Sequence, residues 1–204
     1  ILVCLVGSEM CIRDSNEMYW NNDATIVDKV VALVINDENV AMTRFLAGEL
    51  DRTEIPSGQY PRLSQEMPDK VLVAPRLCSY YYNVNLTDSG NPALQDVRVR
   101  QALSMAMDRD IITKNVTAGG QFPAYTFTPG ATAGFEVPDT PAANMTQAER
   151  DAMAMELMAE AGYGADNPLD LSLVYNTSEG HKKIAIAVSQ MWKQKLGVNV
   201  ELSN

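Results

Sequence analysis

The sequence holds a single histidine and three cysteines in 204 residues. One histidine cannot furnish a His-rich metal site, and no Cys-x-x-Cys pair is present to supply thiolates instead. Basic residues are also scarce: 16 Lys and Arg stand against 26 Asp and Glu, a net charge of −10. Such a chain repels phosphate backbones, which argues against a nucleic-acid partner. No apolar run approaches the about 20 residues that a membrane-spanning helix needs. The dinucleotide and phosphate-loop glycine patterns do not occur, and Gly-x-Ser-x-Gly is absent. Ser178 and His181 lie close in sequence, yet no orienting acid accompanies them, so they do not make a hydrolase triad. These absences point away from an enzyme, a cofactor or a metal centre, and toward binding.

What is present is an alternation of strand and helix signals, which predicts an α/β architecture. Residues 27–35 are β-rich, and 40–48 suit an amphipathic helix of Val40, Phe45 and Leu46, with Met42 and Ala41 beside them, that stops at Gly48. Residues 63–67 read as a weak helix ended by Pro68, and 71–74 as a strand. Asp96 is placed to cap a helix whose stripe is Val99, Leu103, Ala106 and Met107. Asp108 is placed to cap a second helix, terminated by residues 118–120. Residues 121–143 are rich in Pro, Gly, Thr and Ala and form a long loop, of the kind that tends to be functional. Thr146 and Glu149 have capping-box spacing before a helix to Ala161. A strand over 169–175, a helix over 181–196 and a strand over 198–202 follow.

The first 15 residues do not match the rest. They carry no basic start and no small-residue cleavage site, so they make a poor signal peptide. The stretch from Val6 to Ser15 resembles translated sequencing-adaptor read-through, and residues 1–15 are set aside as a non-native leader. Of Cys4, Cys11 and Cys78, this leaves only Cys78 to the protein. The start, and the end on a strand, read as an internal piece of a longer protein.

The densest segment is Leu77-Cys-Ser-Tyr-Tyr-Tyr-Asn-Val-Asn85. Read as a strand, it alternates Cys78, Tyr80, Tyr82 and Val84 on one face with Ser79, Tyr81, Asn83 and Asn85 on the other. The first face is suited to packing and the second, with one aromatic among short polar side chains, to hydrogen-bonding a ligand. A histidine at a helix start, as at His181, is a capping residue or a donor to a ligand carboxylate.

The run Asp96-Val-Arg-Val-Arg-Gln-Ala-Leu103, with Met107-Asp-Arg-Asp-Ile-Ile112, resembles the helix pair of the family 5 extracellular solute-binding proteins, the receptors of peptide and nickel ABC importers. Tyr19-Trp-Asn-Asn22, Leu77-Cys78 with Tyr80–Tyr82, Leu173-Val-Tyr-Asn-Thr-Ser178 with His181-Lys-Lys183, and Ala159-Glu-Ala-Gly-Tyr163 resemble its oligopeptide-binding branch. The resemblance implies a two-lobed, type II periplasmic-binding-protein-like fold, present only in part, with mixed sheets flanked by helices. On it, residues 16–77 belong to the first lobe and 78–204 to the second large lobe. It implies capture of short peptides in extended form, and a monomer in the periplasm, or lipid-anchored there, that delivers them to an inner-membrane permease. Murein-peptide, dipeptide and nickel receptors of the same family are the alternatives; a peptidase or a surface interaction protein ranks below them.

Carried over by position, Tyr81 and Asn83 face the peptide, while Asn176 and His181 lie near its C-terminal end. Cys78 matches a cysteine that the resemblance pairs with one beyond Asn204. Glu54 and Ile55 fall near a peptide-facing loop, with a shift in spacing. Thr117 stands where the family carries a lysine that helps to hold a carboxylate, Asn83 where it carries an acid, and Arg76 where it carries an aromatic.

Overall fold

Side-chain caps start three of the helices where the sequence places them, at Asp96, Asp108 and Thr146. The computed structural model describes residues 2–4, 10–74 and 76–204. Its contacts divide into two units, Ile1–Glu54 and Ile55–Asn204.

In the first unit, strands β1 (Leu2–Cys4), β2 (Met10–Asp14) and β3 (Lys29–Leu33) form an antiparallel sheet in that order. The β2–β3 register runs from Met10 opposite Leu33 to Asp14 opposite Lys29. The leader set aside from the sequence therefore takes part in the sheet, because strand pairing satisfies its backbone whatever its side chains are. Helix α1 (Glu38–Leu46) starts at Asp37, whose carboxylate accepts from the Asn39 and Val40 amides. Gly48, at φ +77°, follows it. The buried positions are Ala41 and Met42, while Val40 and Leu46 are exposed. Of the five apolar residues read from the sequence, Ala41 and Met42 thus carry the packing.

In the second unit, α2 (Tyr60–Glu66) buries Leu63. Helix α3 (Val97–Ala106) is capped by Asp96, and α4 (Arg109–Ile111) by Asp108. A π-helical turn, Ile112–Thr117, continues α4 and ends at Ala118 in the left-handed region. A short helix α5 (Pro141–Asn144) precedes α6 (Gln147–Glu160), where the Thr146–Glu149 capping box is formed in both directions. Strand β4 (Asp170–Val174), helix α7 (Glu179–Leu196) and strand β5 (Asn199–Ser203) make a βαβ unit with parallel strands, Asp170 opposite Asn199. Gly197, at φ +70°, lets α7 turn directly into β5, a conformation that Cβ-bearing residues adopt only at a cost.

The core lies where α3, α6 and α7 meet β4 and β5. Val99, Ala102 and Ala106 of α3, Ala154 of α6, and Ala185 and Val188 of α7 are fully buried. Alanine at four of these places lets the helix axes approach closely. Leu171 and Leu173 turn the buried face of β4 onto them, alternating with exposed Asp170, Ser172 and Val174. Residues 71–74 and 77–85 are not strands: among the described residues no partner strand pairs with them, and a strand exists only where its amides and carbonyls find one.

Two carboxylates tie this fold to pH. Arg98, donating to the Asp96 carboxylate, holds that carboxyl below its usual range. The Thr146 amide, then its hydroxyl, do the same for Glu149. A carboxyl depressed in the folded state stabilises fully above its unfolded pKa, about 4, and loses that contribution as pH falls through the lower folded value. Acid unfolding should therefore steepen below about pH 4. Glu149→Gln keeps the capping-box bond but cannot titrate, so its stability should fall less steeply in urea titrations across that window. Equal acid slopes for the variant and the parent would remove Glu149 from the account.

Candidate functional site

Tyr80, Tyr82 and His181 form an aromatic cluster at the start of α7. Ser178 caps that helix by accepting from the His181 amide at 3.4 Å, which fixes the backbone beneath the imidazole. Tyr80 lies over the imidazole with ring centroids 4.7 Å apart and meets Tyr82 edge-on at 5.7 Å. The Nδ1 of His181 is hydrogen-bonded to Oδ1 of Asn176, from the turn between β4 and α7. The bond ties the imidazole to that turn and fixes the orientation of its ring. Tyr82 packs against the core, and among the described residues its buried hydroxyl has no partner at hydrogen-bonding geometry. Burial, and then the neighbouring Tyr80 phenol, push its pKa well up and keep it neutral.

A second group surrounds the π-helical turn. The Gly58 amide donates to the Thr117 carbonyl, and Nζ of Lys183 donates to the Ser57 carbonyl at 3.3 Å. The loop at 57–58 thereby bridges the turn to α7. The Thr117 hydroxyl is engaged locally, its one proton facing three acceptors, the Ile112 and Thr113 carbonyls and Oε1 of Gln121.

The long loop after the turn is pinned by two arginines. Arg109 stands 4.8 Å and Arg150 5.2 Å from the centroid of the Tyr125 ring. Arg109 also donates to the Ala124 carbonyl and to Ser104, while Arg150, only 4 % exposed, donates to the carbonyls of Ala142 and Met145. Burial pulls the Arg109 pKa down from its ordinary value. Two residues past Tyr125, Phe127 meets Tyr81 edge-on at 4.9 Å.

The residues singled out from the sequence thus fall into separate places. Asn176 and His181 are brought together, with Tyr80 rather than Tyr81. Tyr81 pairs with Phe127, and Asn83 is exposed with no side-chain partner among the described residues. Exposed Glu54 closes the first unit, and half-buried Ile55 opens the second. Cys78 is an exposed free thiol. Tyr80, assigned to packing by alternation, is half exposed at 48 % and shares the face of His181. Proximity of Tyr80 to a residue 101 positions later leaves no mark on local periodicity, and neither does that of Phe127 to Tyr81. A concavity of about 280 Å³ lies elsewhere, lined by Met155, Met158, Tyr163, Lys195 and Leu196. Lys195 is about 20 Å along α7 from His181 at the helical rise, so this concavity is not part of the cluster.

Known proteins resemble this chain closely. The periplasmic murein peptide-binding protein MppA of Escherichia coli K12 is 46% identical over 200 residues, 98% of this chain and 37% of its own length. The periplasmic oligopeptide-binding protein OppA of the same organism is 43% identical over 201 residues, 98% of this chain and 36% of its own. The solved structure of the E. coli murein tripeptide binding protein MppA superposes with a TM-score of 0.89 at 44% identity, covering 100% of this chain and 40% of the solved one. The chain thus spans roughly two fifths of these relatives, and the leader is partly inside the match, since the model of the bacterial extracellular solute-binding proteins, family 5 Middle, covers residues 6–204. With that coverage and these identities, the chain belongs to the family 5 bacterial extracellular solute-binding proteins.

Proposed function

We infer that this chain is part of the substrate-binding receptor of a peptide ABC importer, which captures short peptides in extended form between two lobes. The likeness of 98% of the chain to murein-peptide and oligopeptide binders, at 46% and 43% identity, carries this reading. Extended capture suits loose sequence preference, because every peptide offers the same backbone donors and acceptors. In the complete receptor, residues 16–77 lie in one lobe and 78–204 in the other. The receptor works as a monomer in the periplasm, free or lipid-anchored, and delivers to an inner-membrane permease. It performs no chemistry on its ligand. Cys78 forms a disulfide with a cysteine elsewhere in the complete chain.

Within this part, His181 and Asn176 hold the peptide's C-terminal end, and Tyr81 and Asn83 face its backbone. Glu54 and Ile55 border the same path. Thr117 shapes the turn, its hydroxyl being engaged within it.

Calorimetry of the complete receptor with tri- to pentapeptides tests the reading: measurable heat for at least one length supports it, and no heat and no thermal shift with any peptide sinks it. Murein tripeptide and dipeptides in the same titrations separate the sibling receptors. His181→Ala should weaken the best peptide by about 1.5–3 kcal/mol, the value of a hydrogen bond to a charged group. A dissociation constant unchanged at every length would remove His181 from the site.

A further inference from the structure

Resting on the peptide-binding reading, we propose that Phe127 is a specificity-determining residue, forming with Tyr81 a pre-set shelf for an aromatic side chain of the bound peptide. Phe127 is 70% exposed and Tyr81 51%, so their edge-to-face contact is not part of the core. Two exposed rings held against each other leave faces and edges open to a third ring, which would stack or meet them edge-on.

The loop is built to hold Phe127 in place. Tyr125, two residues earlier, is flanked by the Arg109 and Arg150 guanidiniums. Arg109 fixes the Ala124 carbonyl just before it, and the Thr126 hydroxyl donates to the Thr128 carbonyl, closing the backbone around Phe127. Downstream, Arg150 holds the carbonyls of Ala142 and Met145. An exposed ring on a loop anchored on both sides loses little freedom on contact, which is the condition for selective binding.

The position also fits the ligand. Tyr80 and Tyr81 are consecutive; the first contacts His181 and the second Phe127. One short stretch thus touches both the His181 cluster and the aromatic shelf.

The test uses the complete receptor, tetra-alanine, and its four variants with a single phenylalanine. The ratio of dissociation constants, tetra-alanine over the best phenylalanine peptide, should be well above one in the parent. Phe127→Ala should cut that ratio about tenfold, and Phe127→Trp should keep it and shift its indole emission on binding. Three results would each overturn the inference while peptide binding itself stands. They are a parent ratio near one, a ratio unmoved by Phe127→Ala, and an introduced indole that emits as buried and ignores peptide, as when another part of the chain covers the shelf. No binding of any peptide by the parent overturns the peptide reading, and the shelf with it.

Discussion

Trp192→Ala should destabilise the second unit by about 3–5 kcal/mol, the range for removing a buried aromatic. Trp192 is 7% exposed within the core, and its indole Nε1 donates to the Leu103 carbonyl at 2.8 Å. That carbonyl is one of the last four of α3, which have no partner inside the helix. The other three are taken in the same way. Arg109 donates to Ser104, Gln147 to Met105 and Lys195 to Ala106, each at 2.9 Å. Side chains from α4, α6 and α7 thus close the end of α3, and the two cations suit the negative end of its dipole. Lys195 in turn reaches the Asp151 carboxylate at 2.8 Å, in a pair about three quarters shielded from solvent.

The alanine variant removes both the packing of the indole and the cap. Trp192→Phe separates them, since it keeps a ring but leaves the Leu103 carbonyl without a donor, at about 1–3 kcal/mol. Urea unfolding followed by helical circular dichroism reports on this unit, which holds α3, α6 and α7. A loss under about 1 kcal/mol for Trp192→Ala, the central value for an arbitrary substitution, would show that the end of α3 is not where this unit is held together. Phenylalanine as stable as tryptophan would show that the cap contributes nothing.

These contacts mark the limit of what the sequence shows. Asp96, Asp108 and the Thr146–Glu149 pair announce their helices because a cap acts within three residues of itself. Val99, Leu103 and Ala106 announce the buried face of α3 because a helix repeats locally. Trp192 and Leu103 are 89 positions apart, and nothing near either residue encodes their bond. The same holds at the candidate site. Alternation does put Tyr80 and Tyr82 together, and they touch, but it cannot say that His181 sits on that face as well. The β-rich composition of 77–85 is legible, while the pairing that would make it a strand depends on residues distant in sequence. In α1 the pattern is too short to choose among its five apolar residues, and it is Ala41 and Met42 that are buried. The family resemblance supplies what periodicity cannot, because several separated segments in a fixed order carry tertiary information that no one segment holds.

The second large effect is expected at Arg150. Its guanidinium is buried without a carboxylate partner among the described residues; the Ala142 and Met145 carbonyls, Oε1 of Gln147 and the Tyr125 ring surround it. Arg150→Ala strips donors from two carbonyls and one face from Tyr125, and should cost about 3 kcal/mol. Lysine should not rescue it, because a single ammonium cannot serve three acceptors set for a planar fork or stack on the ring as a guanidinium does. Part of the cost should appear as local opening of the 121–145 loop rather than as global unfolding, since the loop lies outside the helical core and its anchors are these few bonds. Limited chymotrypsin digestion reads this directly, with cleavage at Tyr125, Phe127 and Phe135 accelerating in Arg150→Ala and Arg150→Lys before helical signal is lost. Wild-type protection in Arg150→Lys would mean that charge alone holds the loop, not the fork. If the loop opens as expected, the Phe127–Tyr81 contact should go with it, so a substitution that touches no ligand would still flatten the receptor's preference among peptide side chains.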